Sequence, residues 1–334
     1  MNNRSSEYKA IVVREAHGSF TRSVETKTIE QLPENEVLIR VHYSSLNYKD
    51  ALSAMGNRGV TSGYPHTPGI DAAGIVVDST DDRFKEGDEV IVTSYDLGMD
   101  TPGGFGQYIS VPADWIVPLP EGLSLKESMI IGTAGFTAAY AVMKIVEGDI
   151  KPGGKPVVVT GATGGVGSMA VLFLSQLGYR VVAITGKKDQ HSFLRTLGAE
   201  EISGRDRVID RSNKQLLSSS WSAAVDTIGG DILDTVIRQT THNGIVACCG
   251  NVLGHSLKTS IYPFILRGVS LMGVDSGICL MPKRMEIWTK LSKAWKPKKL
   301  HEIYREVSLE ELSNEIGLIL EGRQIGRVLV NLLD

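Results

Sequence analysis

The stretch Val157-Val158-Val159-Thr160-Gly161-Ala162-Thr163-Gly164-Gly165-Val166-Gly167-Ser168 decides the fold of this 334-residue chain. Its apolar, β-branched beginning is typical of a buried strand. The glycine-rich part predicts a tight turn, and the apolar residues 169–178 predict a helix directly after it. We therefore predict that a dinucleotide pyrophosphate binds main-chain N–H groups at this helix N-terminus. The residues assigned to it are Thr163, Gly164, Gly165, Val166 and Gly167.

The fingerprint in this turn is imperfect. Gly164 and Gly167 occupy two of its three glycine positions, and Ala162 stands at the first. A GxGxxG-like string alone is weak, but here a strand precedes it and a helix and a second strand follow. The alternative is a purely structural glycine turn in an α/β domain.

The second half of the chain alternates between strand-like and helix-like segments. Strand-like runs lie at 156–160, 180–185, 223–228, 244–250 and 269–275, with helical segments at 164–178, 189–197, 229–240 and 261–267. This alternation predicts an α/β fold with a Rossmann doubly wound parallel sheet. Residues 8 to about 120 instead hold short strand-like runs separated by Gly, Pro and Asp turns, which predicts a compact β-rich domain.

Composition excludes several classes of protein. The chain is 42% hydrophobic and 22% charged, and 35 basic against 38 acidic residues give a net charge of −3. These values are typical of a globular protein and favour neither nucleic acid nor a membrane as a partner. The three cysteines, Cys248, Cys249 and Cys279, form no disulfide framework, and residues 1–10 lack the apolar core of a signal peptide. We therefore expect a cytoplasmic protein.

The end of the second predicted strand indicates which cofactor is preferred. NAD-specific folds usually place Asp or Glu there, to bind the ribose 2′-hydroxyl. Here the sequence reads Thr185-Gly186-Lys187-Lys188. A hydroxyl, a free backbone N–H and positive charge suit a 2′-phosphate, so we predict NADPH. Arg205 and Arg207 either add charge to this site or are ordinary solvated arginines.

Several motifs together resemble the zinc-free branch of the medium-chain dehydrogenase/reductase superfamily, and within it the acryloyl-CoA reductase and quinone oxidoreductase subgroup. The similar segments are 44–52, 64–76, 86–98, 132–139, 159–168, 262–271, 273–276 and 326–330. The resemblance implies a GroES-like β domain at 1–125, completed by 300–334, and a Rossmann domain at 126–299. It also implies that the cofactor lies in the cleft between them.

The metal ligands of the zinc-dependent relatives are missing from the matching segments. Those segments read LNYKD and PGID, which offer neither a cysteine nor a His-Glu pair, whereas a catalytic zinc takes about three such ligands. His66 is a conceivable ligand, but a turn or surface histidine is the commoner case. We expect no metal and a direct hydride transfer to an electrophilic carbon.

Tyr48 and Asn47 are the candidate catalytic residues. The resemblance implies that Tyr48 lies near the nicotinamide and orients cofactor or substrate; the alternative is a packing role at the domain junction. Asn47 is a candidate donor to a thioester carbonyl. Asn251, Ile265 and Ser276 are candidates to line the nicotinamide and ribose. Arg323 joins them if the C-terminal segment returns to the first domain, and is otherwise a surface arginine.

Three functions remain open from the sequence. The first is NADPH-dependent reduction of an activated double bond, such as that of a short enoyl-CoA like acryloyl-CoA. The second is reduction of quinones at the same cofactor site, and the third is a non-enzymatic NADPH-binding protein. The strand at 269–273 lies late in the sheet, and the resemblance implies that its edge pairs in a homodimer.

Overall fold

The computed structural model of the protein describes residues 7–333. Its strands in chain order are β1 (Glu7–Ala16), β2 (Ser19–Thr28), β3 (Val37–Ser45), β4 (Asp71–Ser79), β5 (Glu89–Thr93), β6 (Tyr108–Val111), β7 (Ile116–Pro118), β8 (Val157–Val159), β9 (Val181–Ile184), β10 (Glu201–Ser203), β11 (Trp221–Asp226), β12 (Thr240–Cys248), β13 (Ser270–Gly273), β14 (Tyr304–Val307) and β15 (Arg327–Asn331). Its α-helices are α1 (Tyr48–Ala54), α2 (Leu125–Glu147), α3 (Gly165–Gln176), α4 (His191–Thr196), α5 (Gly230–Arg238), α6 (Tyr262–Arg267), α7 (Met281–Ser292) and α8 (Leu309–Leu320).

The chain divides into two compact units. Within the described residues, unit 1 comprises 7–133, 277–292 and 304–333, and unit 2 comprises 134–276 and 293–303. The change-over thus lies at residue 133, eight residues beyond the boundary drawn from the sequence at 125. Helix α7, which the sequence placed with the Rossmann segment, falls in unit 1.

Unit 2 is built on a six-stranded sheet with every strand pair parallel, in the order β10-β9-β8-β11-β12-β13. Counted along the unit this order is 3-2-1-4-5-6, the arrangement of the dinucleotide-binding fold. The strand order reverses between β8 and β11. In such sheets ligands bind beyond the carboxyl ends of the strands at that reversal, which here are Thr160 and Asp226–Thr227.

Burial explains why the strands of unit 2 are readable from sequence. Val157, Val158 and Val159 of β8 are completely buried, and all four residues of β9 are buried as well. Strands covered on both faces carry continuous apolar runs rather than alternating ones.

Unit 1 is β-rich. A seven-stranded sheet has the order β14-β15-β3-β4-β5-β7, with β6 also paired to β3, and β1 and β2 form a separate antiparallel ribbon. Strand β15 pairs antiparallel with β3, so the C-terminal strand lies in the sheet of the N-terminal strands. The core between these elements is aliphatic, with Val37, Ile109 and Val330 fully buried.

Two elements differ from the expectation. Strand β2 was not predicted, because Ser19–Thr28 is largely polar and none of its residues is fully buried. The sequence of residues 126–146 predicts one long helix without a break, but α2 is interrupted at Gly132, whose φ of 51° and ψ of −163° are not helical. A Cβ at this position would lie 2.4 Å from the Ser45 hydroxyl and 2.6 Å from an Asp71 carboxylate oxygen, so only glycine fits.

Helix α2 is long and apolar enough to cross a membrane by length and composition alone. In the structure, 78% of its most apolar stretch is buried within the protein. That degree of burial is typical of a core helix.

Candidate dinucleotide site and the Asn47–Tyr48 helix start

The glycine turn between β8 and α3 is shaped by two close approaches. Gly161 has a φ of 59°, and a Cβ there would lie 2.3 Å from the Thr227 hydroxyl. A Cβ at Gly167 would lie 2.3 Å from the Gly161 carbonyl oxygen, whereas one at Gly164 would meet nothing closer than 3.4 Å. The tight-turn glycine is therefore Gly161. The sequence-based reading placed this requirement one residue later, at the buried Ala162.

The N-terminus of α3 presents its first backbone N–H groups beyond this turn. Gly164 is the N-cap, and the first helical hydrogen bond runs from the Ser168 N–H to the Gly164 carbonyl at 2.9 Å. The N–H groups of Gly165, Val166 and Gly167 precede that bond, so they point along the helix axis at its positive end. This arrangement favours a phosphate.

A buried carboxylate that the sequence analysis missed ties the two strand ends together. Asp226, the last residue of β11, accepts a hydrogen bond of 2.6 Å from the Thr160 hydroxyl and one of 2.7 Å from the Gly229 N–H. The Thr160 hydroxyl in turn accepts the Thr227 N–H at 3.1 Å. Burial raises the pKa of Asp226, and its hydrogen bonds oppose that rise. The Thr160–Asp226 hydrogen bond thus holds together the ends of β8 and β11, where the strand order reverses and the glycine turn begins.

The residues predicted to read the 2′-phosphate lie together at the end of β9. The Thr185 hydroxyl accepts the Lys187 N–H at 3.1 Å and lies 3.4 Å from the Thr163 hydroxyl. A Cβ at Gly186 would lie 3.2 Å from Nε of Arg205, so the guanidinium packs on the bare backbone of Gly186.

The charge at this cluster favours an anion. Burial lowers the pKa of Lys187, Asp189 raises it, and the Arg205 charge lowers it further. Among residues 7–333, Arg205 makes no ion pair. Arg207, its alternative in the sequence analysis, instead lies over the Trp221 ring at 5.9 Å.

Asn251 and Ser276 lie beyond strand ends of the same sheet. Asn251 follows β12 in a loop that packs on Gly229, where a Cβ would lie 3.2 Å from the Asn251 Cα. Ser276 follows β13, and its hydroxyl is 2.7 Å from that of Thr137. Ile265 lies elsewhere: it is on α6, between β12 and β13, with 63% of its surface exposed.

In unit 1, Tyr48 is the first residue of α1 and is 40% exposed, whereas its neighbour Asn47 is a buried N-cap. The Asn47 side-chain amide donates to the Ser45 carbonyl at 3.2 Å and to the Asp71 carboxylate at 2.7 Å. Both amide hydrogens are thereby used inside the unit. In this geometry no amide hydrogen of Asn47 is left for the predicted role as a donor to a substrate carbonyl, and Asn47 is the N-cap of α1.

Two arginines of the C-terminal segment, Arg323 and Arg327, lie in different environments. Arg323 is 68% exposed and pairs with Glu321 at 3.0 Å, which is the surface alternative of the sequence analysis. Arg327, which the sequence analysis passed over, is buried and donates to the Asn47 side-chain oxygen at 3.2 Å and to the Ser45 hydroxyl at 2.8 Å. An arginine within the apolar strand RVLVN was the available signal, because such a charge is buried only with partners.

His66 is buried, and burial lowers its pKa. Among residues 7–333, no group of three or more His, Cys, Asp or Glu side chains is arranged to hold a metal ion. Burial, and after it the charge of Asp226, raise the pKa of the Cys249 thiol to about 12, so the thiol rather than the thiolate form is favoured.

Two family models match the chain. Residues 33–121 match the alcohol dehydrogenase GroES-like domain, and residues 165–290 match the zinc-binding dehydrogenase domain. The chain belongs to the medium-chain dehydrogenase/reductase superfamily. The predicted GroES-like and Rossmann fold classes are confirmed by these matches.

Curated relatives cover nearly the whole of this superfamily member. It is 48% identical over 313 residues to Putative quinone oxidoreductase YhfP of Bacillus subtilis, covering 93% of this chain and 95% of the relative. It is 40% identical over 326 residues to acrylyl-CoA reductase AcuI of Ruegeria pomeroyi, covering 97% and 99%.

Solved structures of similar proteins contain nicotinamide dinucleotides. The yhdH oxidoreductase of Salmonella enterica in complex with NADP matches with a TM-score of 0.94 at 40% identity, covering 97% of this chain and 99% of that one. The yhfP protein of Bacillus subtilis with NAD bound matches with a TM-score of 0.96 at 46% identity, covering 98% and 100%.

Thr160→Val tests the lock at the strand reversal. The variant keeps the shape of the side chain but leaves a buried Asp226 oxygen and the Thr227 N–H without their partner, which we expect to cost about 1–3 kcal/mol of unfolding free energy. Urea unfolding measures this. Thr160→Ser keeps the hydroxyl and is the control; equal losses in both variants would show that the hydrogen bonds do not carry the effect.

Proposed function

We propose that the protein is an NADPH-dependent oxidoreductase whose unit 2 holds the dinucleotide. The observation that carries the cofactor assignment is the cluster of Thr185, Gly186, Lys187 and Arg205 beside the N-terminus of α3. Main-chain N–H groups at that terminus receive the diphosphate, and the two cations with the Thr185 hydroxyl receive the 2′-phosphate. Solved relatives with NADP and NADPH support this.

The bare backbone around the turn fits the dinucleotide. Gly161 and Gly167 leave room where any Cβ would collide with main-chain or hydroxyl oxygens, so the turn stays close to the helix end. Asn251 and Ser276 lie beyond strand ends of the same sheet and are the residues proposed for the ribose and nicotinamide side. Ile265 is kept as a weaker candidate, on α6.

NADH is the competing cofactor, because the relative yhfP was solved with NAD bound. The charge at the end of β9 discriminates between the two. In this chain no carboxylate directly follows β9, where an NAD-specific site would place one, and Asp189 lies beyond Lys187.

When bound, the reduced nicotinamide supplies a hydride to an electron-poor carbon. The substrate we propose is an activated carbon-carbon double bond, such as that of a short enoyl-CoA like acryloyl-CoA, supported by the similarity to AcuI. Quinone reduction is the second candidate, because the relative at 48% identity carries that name. Tyr48 is the residue proposed to orient cofactor or substrate, since its ring is partly exposed at the start of α1.

Strand β13 is at the edge of the sheet of unit 2, and we propose that the chain forms a homodimer through this edge in the cytoplasm. The mass in solution, measured by light scattering, is expected to be twice that of the chain. A mass of 36.2 kDa at micromolar concentration would contradict the dimer.

Lys187→Glu tests the cofactor assignment. The reversed charge is expected to weaken NADPH binding about ten- to a hundredfold, as for the loss of one charged hydrogen bond, and to change NADH binding far less. Fluorescence titration measures both dissociation constants. Lys188→Glu, at the exposed neighbouring position, is the control. Equal losses for the two cofactors would show that Lys187 does not read the 2′-phosphate.

Turnover of NADPH with acryloyl-CoA beside a panel of quinones tests the substrate. We expect acryloyl-CoA to be reduced with the higher kcat/KM. Reduction of quinones only would overturn the enoyl-CoA proposal, and cofactor binding without turnover of any activated alkene or quinone would identify a non-enzymatic binding protein. Tyr48→Phe keeps the ring and Tyr48→Ala removes it, which separates the contribution of the hydroxyl from that of the ring.

A further inference from the structure

The interior of unit 1 holds a cluster of three fully buried ionisable side chains that no part of the proposed cofactor site uses. Asp50 and Asp71 have no exposed surface, and Arg327 has 1%. Two carboxylates therefore face one guanidinium in the protein interior. Buried charges are costly unless they are paired, so the cluster is stable with one of its two carboxyl groups protonated.

Hydrogen-bond donors are concentrated on one of the two carboxylates. Asp71 accepts from the Ser45 hydroxyl at 2.6 Å, the Asn47 amide at 2.7 Å, the Thr133 N–H at 2.9 Å and the Thr133 hydroxyl at 2.5 Å, with a guanidinium nitrogen of Arg327 3.9 Å away. Four donors and a nearby cation stabilise the ionised form.

Asp50 has fewer partners. Its two oxygens accept the Asn47 N–H at 2.7 Å and the Ile70 N–H at 2.8 Å. Burial, and after it the charge of Asp71, raise the pKa of Asp50 to about 7, while these backbone hydrogen bonds oppose the rise. Asp50 is therefore the member of the cluster that takes up the proton near neutral pH.

Two strands bring charged groups to Asp50. Asp71 on β4 and Arg327 on β15 are the charged groups that face it. On α1 itself, the Lys49 ammonium lies 3.8 Å from the Met99 sulfur. On α8, which packs on α1, Glu315 pairs with Arg305, Glu310 pairs with Lys9, and Glu311 accepts the Ser308 N–H. On β2, Glu25 pairs with Arg14 and is the carboxylate that acts on Lys27, and the Arg22 guanidinium donates to the Ser313 hydroxyl.

The position of Asp50 links this proton to Tyr48. The Asn47 N–H that Asp50 accepts belongs to the N-cap of α1, and Tyr48 is the next residue. Protonation of the oxygen that faces Asn47 removes its negative charge and uses one of its lone pairs, so the charge-assisted hydrogen bond from the Asn47 N–H is weakened. The bond from Ile70, which anchors the same carboxylate next to β4, remains.

We propose that Asp50 is a positioning residue for Tyr48: its carboxylate form holds the start of α1, and its protonated form releases it. The role in turnover rests on the proposed function, in which Tyr48 orients cofactor or substrate. The structural part of the proposal stands on the contacts of Asp50 alone.

The sign of the linked stability follows from the same proton. The folded protein binds it below about pH 7, whereas the unfolded chain binds it only below the ordinary value of 3.8. The stability that Asp50 contributes is thus fully present below that ordinary value and is lost as the pH rises through 7. Asp50→Asn does not titrate, so its unfolding free energy lacks this component.

The test places 4-trifluoromethylphenylalanine at position 48, a probe that does not itself titrate, and records its ¹⁹F signal between pH 5.5 and 8.5. We expect the signal to shift with a midpoint of about 7 in the otherwise unchanged chain, and to stay constant in Asp50→Asn. Asp78→Asn, an exposed carboxylate on β4, is the matched control and should titrate like the parent. A constant parent signal, or an unchanged titration in Asp50→Asn, overturns the proposal.

Asp50→Glu is the second variant, in case Asp50→Asn does not fold. It keeps a titrating carboxyl group, so the ¹⁹F midpoint should move rather than vanish; an unmoved midpoint overturns the proposal. In turnover, kcat of the wild type is expected to rise at least fivefold from pH 6 to pH 8, with a flat profile in Asp50→Asn. A ¹⁹F titration in a protein without reductase activity would reject the proposed function and leave the positioning role intact.

Discussion

The hydrogen bond from the Thr160 hydroxyl to the buried Asp226 carboxylate holds together the two strand ends on which the dinucleotide site depends. Parallel strands leave their carboxyl ends side by side, but the chain departs from each in a different direction. One departs through Gly161 into α3, and the other through Gly229 into α5. Asp226 also accepts the Gly229 N–H. This one carboxylate therefore fixes the backbone where it leaves each of the two strands, and with it the position of the N-terminus of α3. The geometry of the proposed phosphate site thus depends on a residue that is not itself proposed to bind phosphate.

In unit 1, too, a buried carboxylate connects separate elements of the fold: it is Asp71, with Arg327 beside it. Asp71 gathers donors from β3, from Asn47 and from the interruption of α2, while Arg327 approaches from β15. Elements that are far apart in sequence meet at these buried charges. Low local polarity makes each hydrogen bond stronger and each missing one more costly, so such a cluster specifies the arrangement closely. The helix start at Tyr48 is positioned by this cluster through Asn47.

Sequence reasoning predicted the parallel sheet correctly because its strands are continuous apolar runs between glycine turns. It also brought Thr185, Lys187 and Arg205 together, because the end of a strand beside a nucleotide turn has a defined chemistry. It missed β2, whose polar residues carry no burial signal, and it treated α2 as unbroken because the close approach at Gly132 is invisible in a local pattern.

The internal hydrogen bonds of Asn47 and the buried position of Arg327 could not be predicted from the sequence, for a common reason. Hydrogen-bonding capacity can be read from a sequence, but whether it is already used depends on partners from distant segments. Arg327 faces carboxylates that lie in the first quarter of the chain, and Asp226 faces Thr160 across a sheet. No spacing rule connects such pairs, so only the structure assigns them.

Backbone amide NMR of the ¹⁵N-labelled protein during titration with NADPH tests the central claim most directly. If the helix end locked by Thr160 and Asp226 receives the diphosphate, the amide signals of Gly165, Val166 and Gly167 should show large, saturable shifts. Unchanged signals from these three residues, together with saturating shifts elsewhere in the chain, would contradict the account.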